Sequence, residues 1–169
     1  DDVELTAENL AVSKIAVSSD QLEEMTQTSW HLEIHDETCY RNPNTGWLTG
    51  TGTFLTLELV NARPTDYSFL PDGTYTVDGE PTTDPETGLQ QYRIPAVVAG
   101  KYTRPGFYGA SSFVRYEEGT ETEGTGIYGG TVTVSREGDV YTLVFDLKDD
   151  AENTISGTYT GTITEYVVQ

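Results

Sequence analysis

The sequence predicts an all-β protein: an antiparallel up-and-down meander of about eight strands, closed as a lipocalin-like β-barrel or folded over as a β-sandwich. Three observations carry this reading. Apolar residues alternate with polar ones along several stretches, which is the two-residue period of a half-buried strand. Segments rich in Gly, Pro, Asn and Asp separate those stretches and supply turn chemistry. Composition agrees: 11 Tyr, 17 Gly and a single Met among 169 residues favour strands and turns over helices.

The N-terminal segment, residues 1–28, is the least strand-like. Asp20 reads as an N-cap, Glu23 completes a capping-box pattern, and Leu22 and Met25 share one face, so a short helix is expected over 20–25. Upstream, Leu10, Val12, Ile15 and Val17 suit an edge strand or a docking tail, and the pattern leaves both open.

Residues 29–169 read as a single antiparallel β domain. Trp30, Leu32 and Ile34 alternate with His31, Glu33 and His35. After the turn Asn42-Pro43-Asn44-Thr45-Gly46, a second strand over 51–60 puts Thr53, Leu55, Leu57 and Leu59 on one face. Pro71-Asp72-Gly73 turns the chain into Thr74-Tyr75-Thr76-Val77, and 79–88 reads as a loop. A strand over 92–98 is confined to an edge or bulge by Pro95. Another runs over 110–116, and 117–126 reads as an acidic loop. The C-terminal third is clearest: strands over 131–135, 140–147 and 155–163, the last with Ile155, Tyr159 and Ile163 inward and Thr158, Thr160, Thr162 and Thr164 outward. A meander of this length closes into a barrel or packs as two sheets.

Charge narrows the function. Nine Lys and Arg face 28 Asp and Glu, a net charge of −19. Such a surface repels nucleic-acid phosphates and anionic lipid head groups, so nucleic-acid binding is excluded as a reading. No stretch approaches the ~18 apolar residues of a membrane-spanning helix. The chain starts at Asp1 rather than Met, which reads as a processed form that has lost a leader and a lipid attachment point. Cys39 is the only cysteine. Its setting, ETCYRNP, has neither a helix start nor a nucleophile motif, so a structural role is expected.

Motifs for phosphate binding, hydrolase nucleophiles and tetrahedral zinc are absent, and no cofactor is implied. His31, Glu33 and His35 share one strand face in a spacing that suits a metal, but no third histidine completes a common set and an exposed polar face opposite Trp30, Leu32 and Ile34 is the preferred reading. Asp146, Asp149, Asp150, Glu152 and Asn153 crowd one turn with calcium-type oxygens but without EF-hand spacing, and a solvated hairpin end accounts for them.

The sharpest irregularity is 87–116. It holds no Asp or Glu, four of the nine basic residues, and six rings, namely Tyr92, Tyr102, Phe107, Tyr108, Phe113 and Tyr116. The turn 103–109 presents aromatics and a guanidinium at a loop tip. Exposed rings stack on sugar faces or pack on a protein partner, and Arg binds carboxylates. Tyr102, Arg104, Phe107, Tyr108 and Arg115 are therefore the candidate ligand-binding residues. The competing reading makes these rings core and these cations internal counter-charges.

The run GGTVTVSREGDVYTLVFDLKDDAENTISGTYTGTI (129–163) resembles the C-terminal meander of small β-rich lipoproteins exported by gut anaerobic bacteria, and DDVELTAENL resembles the spacer that follows a lipidated cysteine. The resemblance implies export to the periplasm or outer-membrane surface and a lipid anchor. It supplies no site residues. Three functional classes follow: a cell-surface binding module for carbohydrate or a protein partner, an adhesion-type accessory protein with no small-molecule ligand, and a carboxylate-dependent hydrolase. A non-enzymatic binding module is the leading expectation.

Overall fold

The computed structural model describes residues 2–5, 10–17, 26–36, 38–104, 106–163 and 165–168. Among these the regular elements are all strands. The helix expected over 20–25 lies outside the described residues.

The chain opens with β1 (Val3–Leu5) and β2 (Leu10–Val17). The alternating run around Trp30 forms β3 (Gln27–Asp36), followed by a small hairpin of β4 (Cys39–Arg41) and β5 (Leu48–Gly50) and by the long β6 (Gly52–Ala62). Beyond the Pro71-Asp72-Gly73 turn come β7 (Gly73–Asp78), the short ladder of β8 (Thr82–Thr83) and β9 (Gln90–Gln91), and β10 (Ala96–Val98). A second small hairpin joins β11 (Gly100–Arg104) to β12 (Phe107–Gly109), and β13 (Ser112–Glu117) turns into β14 (Thr120–Gly126). The C-terminal strands are β15 (Gly129–Glu137), β16 (Val140–Lys148), β17 (Thr154–Gly161) and β18 (Tyr166–Val168).

The main sheet follows the order β1-β17-β16-β15-β7-β10-β6-β3-β2-β18, with β13 added to β6 and β14 to β13. This corrects the sequence reading in three ways. The sheet is mixed, because β10 lies parallel to β7, β1 to β17 and β18 to β2. Parallel neighbours need long connections, and alternation within a strand says nothing about its partner. The sheet is also open: its path ends on β1 at one side and β18 at the other, so the barrel is not closed. Finally, there are more strands than eight: the main sheet alone has twelve, and the pairs β4–β5, β8–β9 and β11–β12 form small sheets of their own without an apolar period to announce them.

Three local readings change as well. The stretch 117–126 is not a loop, since β14 pairs with β13 from Ser112↔Gly126 to Glu117↔Thr120. Its sequence TETEGTG is polar on both faces, so hydrophobic periodicity is silent there. Pro95 does not mark an edge. The strand β10 begins after it and lies between β7 and β6, so the missing Pro N–H falls outside the ladder. Likewise β2 is flanked by β3 and β18 and is not an edge strand.

The inner face encloses one core. Trp30, Leu32 and Ile34 of β3 and Leu55, Leu57 and Leu59 of β6 share it with Val132, Val134, Leu143, Phe145, Leu147 and Ile155 from the C-terminal strands. Strands distant along the sheet path thus meet in one cluster, so the sheet bends over on itself. The two-residue period of 140–147 puts Tyr141, Leu143, Phe145 and Leu147 on one face, and all four are buried.

Two carboxylates organise the turns around this frame. Asp36 accepts hydrogen bonds from the Thr38 and Cys39 amides (both 3.2 Å) and, through its other oxygen, from the Thr53 amide (2.9 Å). It thereby ties the β3–β4 turn to the start of β6. Gly52 lies against that carboxylate at φ +138°, and a Cβ there would overlap it. Asp78 ends β7 and is 3% exposed. It accepts hydrogen bonds from Arg93 Nη2 (2.7 Å) and from the Arg93 and Glu80 amides (both 3.0 Å). The Arg93 side-chain bond outweighs desolvation, and with the amides it holds the Asp78 carboxyl well below the usual carboxylate range.

Two outcomes are expected. Gly52→Ala combines an unfavourable φ with a steric collision, so it should cost more than about 1 kcal/mol, read as a lower denaturation midpoint at unchanged m-value. Because its folded pKa is depressed, Asp78 stabilises the fold fully above its unfolded value of about 4, and that contribution fades as pH falls toward the lower folded value. Asp78→Asn should therefore cost about 1–3 kcal/mol at neutral pH, with solvent around the exposed Arg93 keeping it near the lower figure. The difference from wild type should shrink on titration into acid, measured by urea unfolding at a series of pH values.

Candidate functional site

The outer face of β6 and β13 carries a second, smaller apolar cluster. Strand alternation that sends Leu55 and Leu57 inward sends Phe54 and Thr56 outward. In the same way Phe113 faces the main core while Val114 joins Phe54 and Cys39 on the other side. Leu48, Tyr108 and Tyr116 pack on this cluster. Above it lies a cavity of about 380 Å³, within the roughly 300–1,000 Å³ range of small-molecule sites. Phe54, Thr56, Ser112, Val114 and Tyr116 floor it; Arg41 and Leu48 of the first small hairpin, Thr103, Phe107 and Tyr108 of the second, and Glu121 of β14 wall it.

The hairpin β11–β12 is held in place by close backbone approach. Gly100 sits against Gly126 and the Ser111 carbonyl where no Cβ fits. The Gly100 amide donates to the Ile127 carbonyl at 2.7 Å, and the Ile127 amide donates to the Ser111 carbonyl at 3.0 Å. The Tyr102 amide donates to the Tyr128 hydroxyl at 2.9 Å. Tyr108 is pinned three ways: its ring lies on Gly124, its hydroxyl donates to Glu121 Oε2 at 3.2 Å, and the Tyr102 ring stands 6.0 Å away at 38°. These aromatic side chains are presented without a search over rotamers, which lowers the entropy cost of binding.

Of the residues the sequence singled out, Phe107 and Tyr108 line the cavity, and the Tyr102 ring packs tilted against Tyr108. Tyr102 is 56% exposed and Phe107 54%. Arg104 lies with its guanidinium 4.1 Å from the Phe107 ring centroid. Arg115 is separate: it sits on β13, pairs with Glu123 at 3.3 Å and does not line the cavity.

Sequence reasoning missed Arg41, Phe54, Thr56 and Glu121, and it counted Tyr116 among the rings of 87–116 without placing it among the candidate ligand-binding residues. Arg41 donates through Nη2 to Glu33 (3.0 Å) and through Nη1 to the Gly46 carbonyl (2.8 Å), so it reaches the cavity as a fixed group. Nothing local in the sequence flags those four; the register Ser112↔Thr56 and Val114↔Phe54 is what sets Phe54 and Thr56 beside β13. Trp47, directly before Leu48 and just past the turn 42–46, carries no sequence reading and is 77% exposed.

The two metal-like patterns resolve into ordinary contacts. His31 faces Glu58 (3.8 Å), Glu33 binds Arg41, and His35 Nδ1 contacts the Asp36 carbonyl at 2.7 Å with its ring stacked on Phe54. Asp149 accepts from the Ala151 and Asn153 amides and from Asn153 Nδ2, all at 2.9 Å. Burial alone would raise its pKa, but these hydrogen bonds outweigh that and lower it. Among the described residues no three of His, Cys, Asp and Glu gather closely enough to hold a metal ion.

Cys39 lies under the cavity floor. Burial, assisted by the Asp36 charge, pushes its thiol up to about 11, so it is protonated at neutral pH and is not a nucleophile. Comparison of the chain with protein-family models, with curated proteins and with solved structures yields no significant match. Alkylation of Cys39 near pH 8 should run about a hundredfold slower in the native protein than in the denatured chain, since the thiolate fraction falls with the raised pKa. Mass spectrometry after timed iodoacetamide treatment measures this, and equal rates would show that the thiol is neither buried nor shifted.

Proposed function

We propose that this protein is a non-enzymatic, exported binding module that holds carbohydrate in the cavity between its two small hairpins. The observation that carries the reading is the combination in one concave site of rigid rings (Phe107, Tyr108, Tyr116) with short hydrogen-bonding side chains (Thr56, Thr103, Ser112) and two fixed charges (Arg41, Glu121). A sugar presents apolar C–H faces and a rim of hydroxyls. Ring faces meet the former through their negative quadrupole, and hydroxyls, guanidinium and carboxylate meet the latter. The half-exposed Phe107 and Tyr102 extend the stacking surface beyond the cavity mouth.

A β-sandwich-like scaffold suits this role, since its bent sheet leaves an outer face free for a ligand. Export and surface anchoring rest on the likeness of 129–163 to exported lipoproteins. The strongly negative charge, −19, fits a protein that stays dispersed outside the cell.

A glycan-array screen tests the reading, with Phe107→Ala and Tyr108→Ala as controls checked for folding by circular dichroism. Wild type should bind a restricted set of glycans, and each variant should lose at least about tenfold in affinity. Binding untouched by either substitution would move the site elsewhere, and the absence of any bound glycan would sink the carbohydrate reading.

A further inference from the structure

The hairpin β11–β12 does not border one hollow but separates two. On its far side a second depression of about 570 Å³ is lined by Gln90, Tyr92, Lys101 and Tyr128, with Asp78 at its base. A row of rings crosses from one to the other. Phe107 and Tyr108 wall the first cavity, Tyr102 packs tilted against Tyr108, and Tyr128 walls the second with its hydroxyl accepting from the Tyr102 amide.

The charges along this crossing are unlike those of the rest of the molecule. Residues 87–116 contain no carboxylate in a chain whose net charge is −19. Lys101 and Arg104, three positions apart on β11, are both exposed. Among the described residues neither has a carboxylate within ion-pair distance, whereas Arg41, Arg93 and Arg115 each do. The nearby acids are already engaged: Glu121 by the Tyr108 hydroxyl, Glu123 by Arg115 and Asp78 by Arg93. Two cations without a carboxylate partner among the described residues therefore lie on one strand, their backbone positions roughly 10 Å apart, beside rings that offer stacking faces.

We infer that the two hollows form one binding track for an anionic polysaccharide, a chain of uronic-acid residues, with Lys101 and Arg104 receiving its carboxylates. This rests on the carbohydrate reading above and names its ligand class. The Arg104 fork matches a carboxylate in two parallel hydrogen bonds, and its stacking on Phe107 holds it open toward solvent. Lys101 acts as a point charge at the second hollow. The surrounding acidic surface repels a polyanion elsewhere, and the two carboxylates that border the track, Glu121 and Asp78, are already hydrogen-bonded to Tyr108 and Arg93. At physiological ionic strength that repulsion is screened beyond about 8 Å, which leaves the short-range pairing in place.

Calorimetric titration with polygalacturonate and with its carboxyl-reduced, neutral counterpart tests this on the full chain and on the surface variant Lys101→Ala/Arg104→Ala. Wild type should bind the acidic polymer about tenfold more tightly than the reduced one, as two solvated ion pairs allow. The double variant should close that gap by losing affinity for the acidic polymer by the larger factor. Equal affinity of wild type for both polymers would overturn the uronate inference and leave the sugar reading standing. A gap that persists in the double variant would overturn the assignment of Lys101 and Arg104. Failure to bind either polymer would overturn the uronate inference, and the array screen then decides the wider reading independently. Oligouronates long enough to cross β11 should bind more tightly than a monomer, and equal affinity would overturn the continuous track.

Discussion

The period-two alternation of β6 is the constraint on which the rest of the structure depends. Its odd residues, Leu55, Leu57 and Leu59, fill the main core; its even residues, Phe54 and Thr56, floor the candidate site. One edge of the strand is fully occupied by β3, from Gln27↔Ala62 to His35↔Phe54. The other edge is divided, β10 taking Leu59 and Val60 and β13 taking 52–56. A slip of one residue in either ladder would exchange the two faces, burying Thr56 and exposing the leucines. Core and site therefore cannot vary independently, and the Asp36 carboxylate at the head of β6 anchors the register that both need.

The site itself owes its shape to the absence of side chains as much as to their presence. Gly100, Gly124 and Gly126 allow a hairpin and a tyrosine ring to lie directly on β14. With Glu121 bonded to Tyr108 and Arg41 bonded to Glu33, the polar groups around the cavity hold defined positions before any ligand arrives. Such preorganisation matters for ligands like sugars, whose hydroxyls exchange hydrogen bonds with water at little net gain.

How much was legible in the sequence depended on whether hydrophobic burial reached the segment concerned. Where one face is buried and the other wet, as in β3, β6, β15, β16 and β17, period and face could be read directly, down to the inward placement of Ile155 and Tyr159. Where both faces are polar, as in β14, the same reasoning returned a loop. Topology was out of reach, because the parallel pairing of β10 with β7 is set by long-range packing that leaves no local mark. The site was half visible. A carboxylate-free, ring-rich stretch pointed to Tyr102, Arg104, Phe107 and Tyr108, but their partners Arg41, Phe54 and Glu121 belong to other strands. Arg115 shows the opposite case, a residue in the right stretch of sequence that strand direction carries away to pair with Glu123.

The ends of the sheet path are tied crosswise: N-terminal β1 lies on C-terminal β17, and C-terminal β18 lies on N-terminal β2. Asp2 accepts a hydrogen bond from the Thr154 amide across 152 positions of sequence. Closing so large a loop carries an entropic cost that only late contacts repay, which places this topology among slow folders. It also means that a chain still emerging from the ribosome holds β2 with one unpaired flank. That flank stays open until β18 has been made, and in that interval an open β-edge must be kept from its neighbours.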